Sequence, residues 1–323
     1  MAVIKSWAQA PNMGSGVAEM FKNLFVVVLL AFACTAMALP FASRYALVIE
    51  EGSGKVLLSK NADVEVPIAS LTKLMTAMVV LDAQADMDEA ITIEDPSELT
   101  KSQSRTRLTD GGMLARRTVM ELALMSSDNH AAVSLAYAYP GGIDAFVLAV
   151  AAKVAALGMT HTHIEEPTGL SKANRSTAED LAKMAAAAAN YPEIVRITTS
   201  SGQTVDVDGR SIEYHNTNAL VGQVGWDILL SKTGFTTPAG RCLIMRLNAG
   251  GQTIIVVLLN ATNLPSRTTD ALNVRRFLAG ELPVLAERPY RARPAPHRVQ
   301  VNARRAGSVA GTPVVAARVG RFQ

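Results

Sequence analysis

The sequence predicts an α/β fold of the α+β type, in which one antiparallel sheet is built from both ends of the chain and helices lie between them. Runs typical of strands occur at residues 45–59 and again at residues 228–260. Between them, from residue 68 to about 189, apolar residues recur mostly at helical spacing. A length of 323 residues and a hydrophobic fraction of 49% permit a sizeable core.

The N-terminal part of the domain predicts a hairpin followed by a helix. The segments Tyr45–Glu50 and Lys55–Ser59 are typical of two strands, and the Gly-rich segment between them is typical of a hairpin turn. Pro67 then precedes a helix expected at Ile68–Leu81, because this stretch has helical spacing and no Pro or Gly.

The middle of the chain predicts several helices after an irregular polar segment. Two sequences, Thr118–Glu121 and Ser176–Glu179, match the capping box that starts helices. The first helix should break at the polar run 126–129 and resume. The predicted elements are irregular chain at 91–108, helix from Thr118 to Ala138 with that break, helix from Asp144 to Gly158, and helix 177–189.

Strands return near the C-terminal end of the domain. The expected elements are strands Ile228–Thr233, Arg241–Asn248 and Thr253–Asn260 and a final helix Thr268–Ala279.

The first 38 residues have the features of a secretory signal peptide. Lys22 precedes an apolar run, Leu24–Cys34, and Ala36-Met37-Ala38 follows as a small-residue cleavage pattern. The run is shorter than the roughly 20 residues that span a bilayer. We therefore expect export to the periplasm and no stable membrane anchor, and leave open Met20 as the true start and lipid attachment at Cys34.

Charge is distributed unevenly along the chain. The overall net charge is +3, but residues 288–323 contain eight Arg and no acidic residue, so the body of the protein is mildly acidic. This balance does not indicate a nucleic-acid-binding protein. We predict a signal peptide at 1–38, a catalytic domain at 39–287 and a disordered basic tail at 288–323. The tail could hold the protein near anionic polymers or be dispensable.

Ser70 and Lys73 predict a nucleophile and its base. They are three residues apart near the start of a predicted helix, so their side chains share one face. A Ser hydroxyl is a poor nucleophile until a neighbouring base takes its proton. Lys73 can act only as a neutral amine, so its pKa must fall below about 10.4. We expect desolvation and a second cation, Lys232, to lower this pKa.

Two further segments carry polar groups suited to substrate handling. Ser127 and Asn129 lie where a helix is interrupted, so a hydroxyl there can relay a proton and an amide can bind a peptide backbone. Lys232 and Thr233 end a strand and can bind a carboxylate, while Gly234 permits close approach of a substrate. The backbone N–H groups of Ser70 and Phe235 are the candidate oxyanion hole.

The order of these motifs, Ser70-x-x-Lys73, Ser127-Asp128-Asn129 and Lys232-Thr233-Gly234, resembles that of penicillin-binding proteins and class A β-lactamases. Residues from about Phe41 to Ala279 resemble the low-molecular-mass penicillin-binding proteins, the S11-type D-alanyl-D-alanine peptidases. Segments 124–129, 166–171 and 231–236 resemble their endopeptidase branch, penicillin-binding protein 7 type. The resemblance implies a β-lactamase/transpeptidase-like fold with a helical insert.

It also implies an acyl-enzyme mechanism without metal or cofactor, covalent trapping by β-lactams, and cleavage of the D-alanyl–diaminopimelate crosslink in peptidoglycan stem peptides. Trimming of terminal D-Ala by a carboxypeptidase is the alternative. Less favoured are a class A β-lactamase, in which Glu165 or Glu166 would hold a deacylating water, and a relative that binds peptidoglycan without activity. The His residues do not form a metal-binding pattern.

Overall fold

A computed structural model of the protein describes residues 41–100, 106–207 and 209–281. The predicted signal peptide, Cys34 and the basic tail lie outside these ranges. The strands are β1 Tyr45–Glu50, β2 Val56–Lys60, β3 Val66–Pro67, β4 Ala90–Thr92, β5 Met113–Ala115, β6 Arg175–Ser176, β7 Gly202–Val207, β8 Arg210–His215, β9 Ile228–Thr236, β10 Gly240–Ala249 and β11 Gln252–Ala261.

The helices fall mostly in the middle of the described chain. They are α1 Thr72–Asp82, α2 Ser97–Thr100, α3 Arg116–Glu121, α4 Asn129–Tyr137, α5 Gly142–Ala156, α6 Ala178–Ala188, α7 Pro192–Thr199 and α8 Leu264–Leu278. A 3-10 turn at Ala69–Leu71 precedes α1, and a π-helical turn at Leu122–Ser126 follows α3.

The main sheet has five antiparallel strands in the order β2-β1-β11-β10-β9. Strands from both ends of the chain therefore form one sheet, as the sequence predicts. Both faces of β10 are covered, since Ile244 faces the large core shared with the helical region and Leu243 and Met245 face a second core under α8. Such two-sided burial explains why the central strands are almost continuously apolar.

Several predicted helix starts are displaced, among them those of α3, α5 and α6. The helix expected at Thr118 begins at Arg116, and no side chain caps it. The carbonyl oxygens of Glu89 and Met87 accept from the N–H groups of Arg116 and Arg117 at 2.8 Å, so a local cap is unnecessary. A tertiary contact has replaced the predicted capping box.

The other two displacements are of one or two residues. Thr177, not Ser176, caps α6 by accepting from the N–H of Asp180 at 3.1 Å. Helix α5 starts at Gly142, which places Asp144 in its first turn and not at its cap. The helix expected from Ile68 begins as the 3-10 turn.

Several elements are absent from the sequence prediction. Helix α7 and the β7–β8 hairpin lie in the stretch 192–227, to which the sequence analysis assigned no element. Helix α8 starts four residues earlier than predicted, because Asn263 caps it by accepting from the N–H of Ser266 at 2.8 Å. Segment 91–108 contains parts of two short elements, β4 and α2, within its irregular chain.

Within the described ranges, no single helix is long and apolar enough to cross a bilayer. Helices α4 and α5 satisfy that test only as a pair, and they are bent by 99° relative to each other.

Candidate active site

Ser70 lies in the 3-10 turn that leads into α1, and two glycines press against its backbone. A Cβ on Gly169 would lie 1.9 Å from the carbonyl oxygen of Ala69, and one on Gly234 would lie 3.0 Å from the Ser70 nitrogen. Ala69 itself has φ +48°, a left-handed conformation that costs an ordinary residue energy. The turn is therefore held in one strained position by close backbone packing.

Lys73 lies beneath Ser70 with its amine enclosed by protein. The side chain is 1% exposed, and Nζ donates to Ser70 Oγ at 2.9 Å, Asn129 Oδ1 at 2.6 Å and the Thr168 carbonyl oxygen at 2.8 Å. Burial lowers the pKa of Lys73 to about 8, although the negative charges of Glu166 and Asp128 act to raise it. A neutral amine in contact with the hydroxyl is thus accessible near neutral pH.

The break in the helix brings Ser127 and Asn129 into contact with the lysines of the other two motifs. After the π-helical turn, Ser127 adopts φ 63° and ψ 30°, and Asp128 then caps α4 by accepting from the N–H of Ala131 at 3.0 Å. This left-handed residue reverses the chain, so the predicted interruption is observed.

Strand β9 supplies the third predicted motif. Lys232 is 1% exposed, and its Nζ donates to Ser127 Oγ at 2.9 Å and to the Thr233 carbonyl oxygen at 3.0 Å. Thr233 Oγ1 donates to Thr217 Oγ1 at 2.7 Å. The three motifs, separated by more than 50 residues in sequence, therefore meet through two hydrogen bonds, from Lys73 to Asn129 and from Lys232 to Ser127.

The expected effect of Lys232 on Lys73 stays a prediction, because the two buried amines repel each other and both have lowered pKa values. Burial lowers the pKa of Lys232 well below its usual value, and the charge of Lys73 lowers it further, ahead of a smaller effect of Arg267. The lowered pKa of Lys73 comes from burial. Repulsion between the two amines therefore adds to the effect of burial at this site.

Glu166 is a structural residue of the site, which the sequence analysis considered only as a water-holding residue in the β-lactamase alternative. It is 2% exposed, and its two oxygens accept from Thr168 N and Oγ1, Gly169 N, Ser171 N and Asn174 Nδ2 at 2.6–3.2 Å. This buried carboxylate fixes the loop whose Thr168 carbonyl holds Lys73. With all these donors on it, the carboxylate is poorly placed to activate a water.

The catalytic groups open into a cleft of about 360 Å³. Phe235 is 51% exposed, and the guanidinium of Arg241 stacks 3.8 Å from its ring centre. Arg267 is 5% exposed and donates to the Cys242 carbonyl oxygen at 3.4 Å. Lining residues are Ser70, Ser127, Asn129, Thr217, Thr233, Gly234, Phe235, Arg241, Leu264 and Arg267.

Two cations in this wall suit an anionic substrate group. Burial, followed by repulsion from Arg241, lowers the pKa of Arg267 to about 10, so it stays charged at neutral pH. Neither Arg was predicted, because only the register of β10 and the packing of α8 bring them to the cleft. Among the described residues, no cluster of three His, Cys, Asp or Glu suits a metal ion.

Comparison with protein families gives a match over residues 33–263 to the Peptidase S11 model, described as D-alanyl-D-alanine carboxypeptidase. A D-alanyl-D-alanine endopeptidase of Pseudomonas aeruginosa is 46% identical over 241 residues, which cover 73% of this chain and 77% of that protein. The endopeptidase of Escherichia coli is 40% identical over 252 residues, covering 77% of this chain and 81% of that protein.

Solved structures give the same result for the fold. The Streptomyces K15 DD-transpeptidase has a TM-score of 0.69 and 26% identity, covering 76% of this chain and 99% of that one. Penicillin-binding protein D2 of Listeria monocytogenes, in its cefotaxime-bound form, has a TM-score of 0.64 and 26% identity, covering 75% and 98%. These likenesses confirm the predicted β-lactamase/transpeptidase-like fold.

Proposed function

The chain belongs to the Peptidase S11 family of D-alanyl-D-alanine carboxypeptidases, and from this premise we propose that it is a serine endopeptidase that cleaves D-Ala–diaminopimelate crosslinks in peptidoglycan. The observation that carries the proposal is the 2.9 Å hydrogen bond between the buried Lys73 amine and Ser70 Oγ at the floor of a cleft. Similarity to two proteins named as endopeptidases favours crosslink cleavage.

In the first step, neutral Lys73 takes the proton of Ser70 while Oγ attacks the D-alanyl carbonyl carbon. The developing oxyanion binds the backbone N–H groups of Ser70 and Phe235. Close packing of Gly234 on the Ser70 nitrogen supports this role, since it places the strand that carries Phe235 next to the Ser70 turn.

In the second step, the C–N bond breaks, and the proton that Lys73 took from Ser70 passes through the Ser127 hydroxyl to the leaving amine, which leaves Lys73 neutral again. The 2.9 Å contact of Lys232 Nζ with Ser127 Oγ supports this relay, because it fixes the orientation of the hydroxyl. Water then attacks the Ser70 ester while neutral Lys73 takes its proton, and Lys73 returns that proton to Ser70 Oγ as the C–O bond to the serine breaks. No metal or cofactor enters either step.

Substrate binding uses the polar groups on the cleft walls. The carboxylate beside the scissile bond binds Thr233 and the cationic wall formed by Arg241 and Arg267, with Lys232 at its base. Asn129 both contacts Lys73 and lines the cleft, which supports a hydrogen bond from its amide to the peptide backbone.

The experiment is digestion of purified crosslinked muropeptides, with conversion of dimers to monomers as the readout. Ser70→Ala should abolish this conversion and also labelling by a fluorescent penicillin, whereas the exposed turn variant Ser53→Ala should retain both. Release of terminal D-Ala with no dimer conversion would support the carboxypeptidase alternative. A β-lactam adduct found on another side chain would exclude the mechanism.

The class A β-lactamase alternative is disfavoured by Glu166, whose oxygens are occupied by loop donors. The expected penicillin adduct therefore persists for minutes or longer, and rapid hydrolysis over many turnovers would restore that alternative. Penicillin labelling also tests the third alternative, an inactive relative that binds peptidoglycan.

We also propose that the enzyme acts in the periplasm, on the basis of the apolar run and cleavage pattern within residues 1–38. Cell fractionation should recover the mature protein there, and removal of residues 1–38 should leave it in the cytoplasm. Recovery of the full-length chain in the cytoplasm would contradict this location.

A further inference from the structure

A second pocket, the Tyr214 pocket, adjoins the catalytic cleft at Ser127. It measures about 250 Å³ and shares only that residue with the lining of the cleft. Its walls come from the turn before α4, from β8 and from the segment before β5. The lining residues are Thr106, Arg107, Ser126, Ser127, Asp128 and Tyr214.

Tyr214 gives this pocket an unused hydrogen-bond donor. The side chain is 2% exposed, and its hydroxyl has no hydrogen-bond partner within the described part of the chain. Burial, and then the nearby charge of Asp128, raise the pKa of Tyr214, so the hydroxyl keeps its proton. A buried donor without a partner is costly, and a bound acceptor would remove that cost.

Arg107 adds a cation at the mouth of the pocket. Its guanidinium lies 4.2 Å from the centre of the Tyr214 ring, and Nη1 donates to the Glu213 carbonyl oxygen at 2.8 Å. These two contacts orient an otherwise exposed side chain. Asp128 already accepts from Thr106 Oγ1 at 2.7 Å and from the N–H of Ala131. Tyr214 and Arg107 supply donors that a ligand in this pocket can use.

The position of the pocket identifies which part of a substrate can reach it. Ser127 is the residue assigned to the leaving amine, and it is common to both cavities. A group continuing from that amine past Ser127 therefore enters the Tyr214 pocket. A free D-Ala leaving group ends at its own carboxylate, whereas the leaving group of a crosslink is part of a whole stem peptide.

We propose that the Tyr214 pocket binds the stem peptide attached to the leaving amine, with Tyr214 and Arg107 donating to its carboxylate or carbonyl oxygens. The inference rests on the proposed endopeptidase function. It makes these two residues determinants of specificity for crosslinks over terminal D-Ala.

The test compares Tyr214→Phe and Arg107→Ala with the unaltered protein on three reagents: a crosslinked dimer, a monomeric pentapeptide and penicillin. For each variant, kcat/KM on the dimer should fall about tenfold or more, the effect of one hydrogen bond to a charged group. Pentapeptide cleavage and penicillin acylation, neither of which fills the pocket, should stay within about twofold. Tyr137→Phe, which removes the hydroxyl of a partly exposed Tyr, is the matched control.

Equal losses of activity on all three reagents would overturn the inference, because they would indicate that the two residues have a structural role. An unchanged rate of dimer cleavage would also overturn it. Arg107→Lys retains the charge and should restore part of the dimer activity. If the unaltered protein cleaves no dimer at all, the proposed function itself fails. If it cleaves dimers and the variants do so equally well, only the role of the pocket is refuted.

Discussion

Acylation of Ser70 by a β-lactam should rise with pH and reach half of its maximum near pH 8. Burial lowers the pKa of Lys73 to about 8, and only the neutral amine can accept the Ser70 proton. About one amine in ten is neutral at pH 7 and about one in a hundred at pH 6. The rate should therefore fall about tenfold per pH unit below 7.

The two pKa values show how much burial increases the neutral fraction of the Lys73 amine. An amine at the ordinary lysine value of 10.5 would be neutral about 300 times less often at neutral pH, which corresponds to about 3 kcal/mol. The assay is the second-order acylation rate with a fluorescent penicillin between pH 5.5 and 9.5. A rate independent of pH over this range, or one that still rises about tenfold per pH unit at its upper end, would refute the role of burial.

Glu166→Gln tests the same pH dependence by a mutation, because the charge of Glu166 raises the pKa of Lys73. Its removal should move the midpoint to lower pH. The plateau should also fall, because an amide cannot accept from all the donors that fix the loop. Glu165→Gln, at an exposed neighbour, should change neither. A midpoint displaced to higher pH in Glu166→Gln would contradict the electrostatic argument.

Three further predictions test the packing of the domain. Gly169→Ala should reduce the rate of acylation at least about 100-fold, because the new Cβ would lie 1.9 Å from the Ala69 oxygen and displace the nucleophile. Gly158→Ala is the control, because Gly158 also has a positive φ but, in the described part of the chain, no atom beyond its neighbours in sequence lies within 4 Å of the position of its Cβ. Cys242 should resist iodoacetamide in the folded protein and react in denaturant, as read by peptide mass spectrometry, because burial raises its pKa to about 11. Asp270→Ala should lower the free energy of unfolding by about 3 kcal/mol, because three donors from residues 42 and 43 lose their acceptor. Denaturant titration measures this loss, and the rate of acylation at pH 8 should not change. Rapid labelling of native Cys242, or unchanged stability of the Asp270 variant, would contradict these two expectations.

The sequence predicted what depends on neighbouring residues. Ser70 and Lys73 meet because they are one helical turn apart, and the break at Ser127 was visible as a polar interruption. It also predicted the strands of the main sheet, since β10 and β11 are long, apolar and joined by a Gly-Gly turn.

What the sequence did not reveal depends on distant contacts. Arg267 and Tyr214 reach their cavities through the packing of α8 and of the β7–β8 hairpin, neither of which has a distinctive local signal. The function of Glu166 follows from a loop that folds back on its carboxylate. The start of α3 was mispredicted for the same reason, since its cap is supplied by chain about 30 residues earlier.

The strand order places the first strand of the domain, β1, next to the last, β11. Strand β9 lies at the edge of the sheet and, among the described strands, pairs only with β10. The wall of the cleft that carries Lys232 is therefore secured only after the segment up to Ala261 has been synthesised and paired. A nascent or truncated chain would hold the nucleophilic serine without the opposing wall that makes it reactive. Activity is thus acquired late in folding, by long-range pairing that is intrinsically slow.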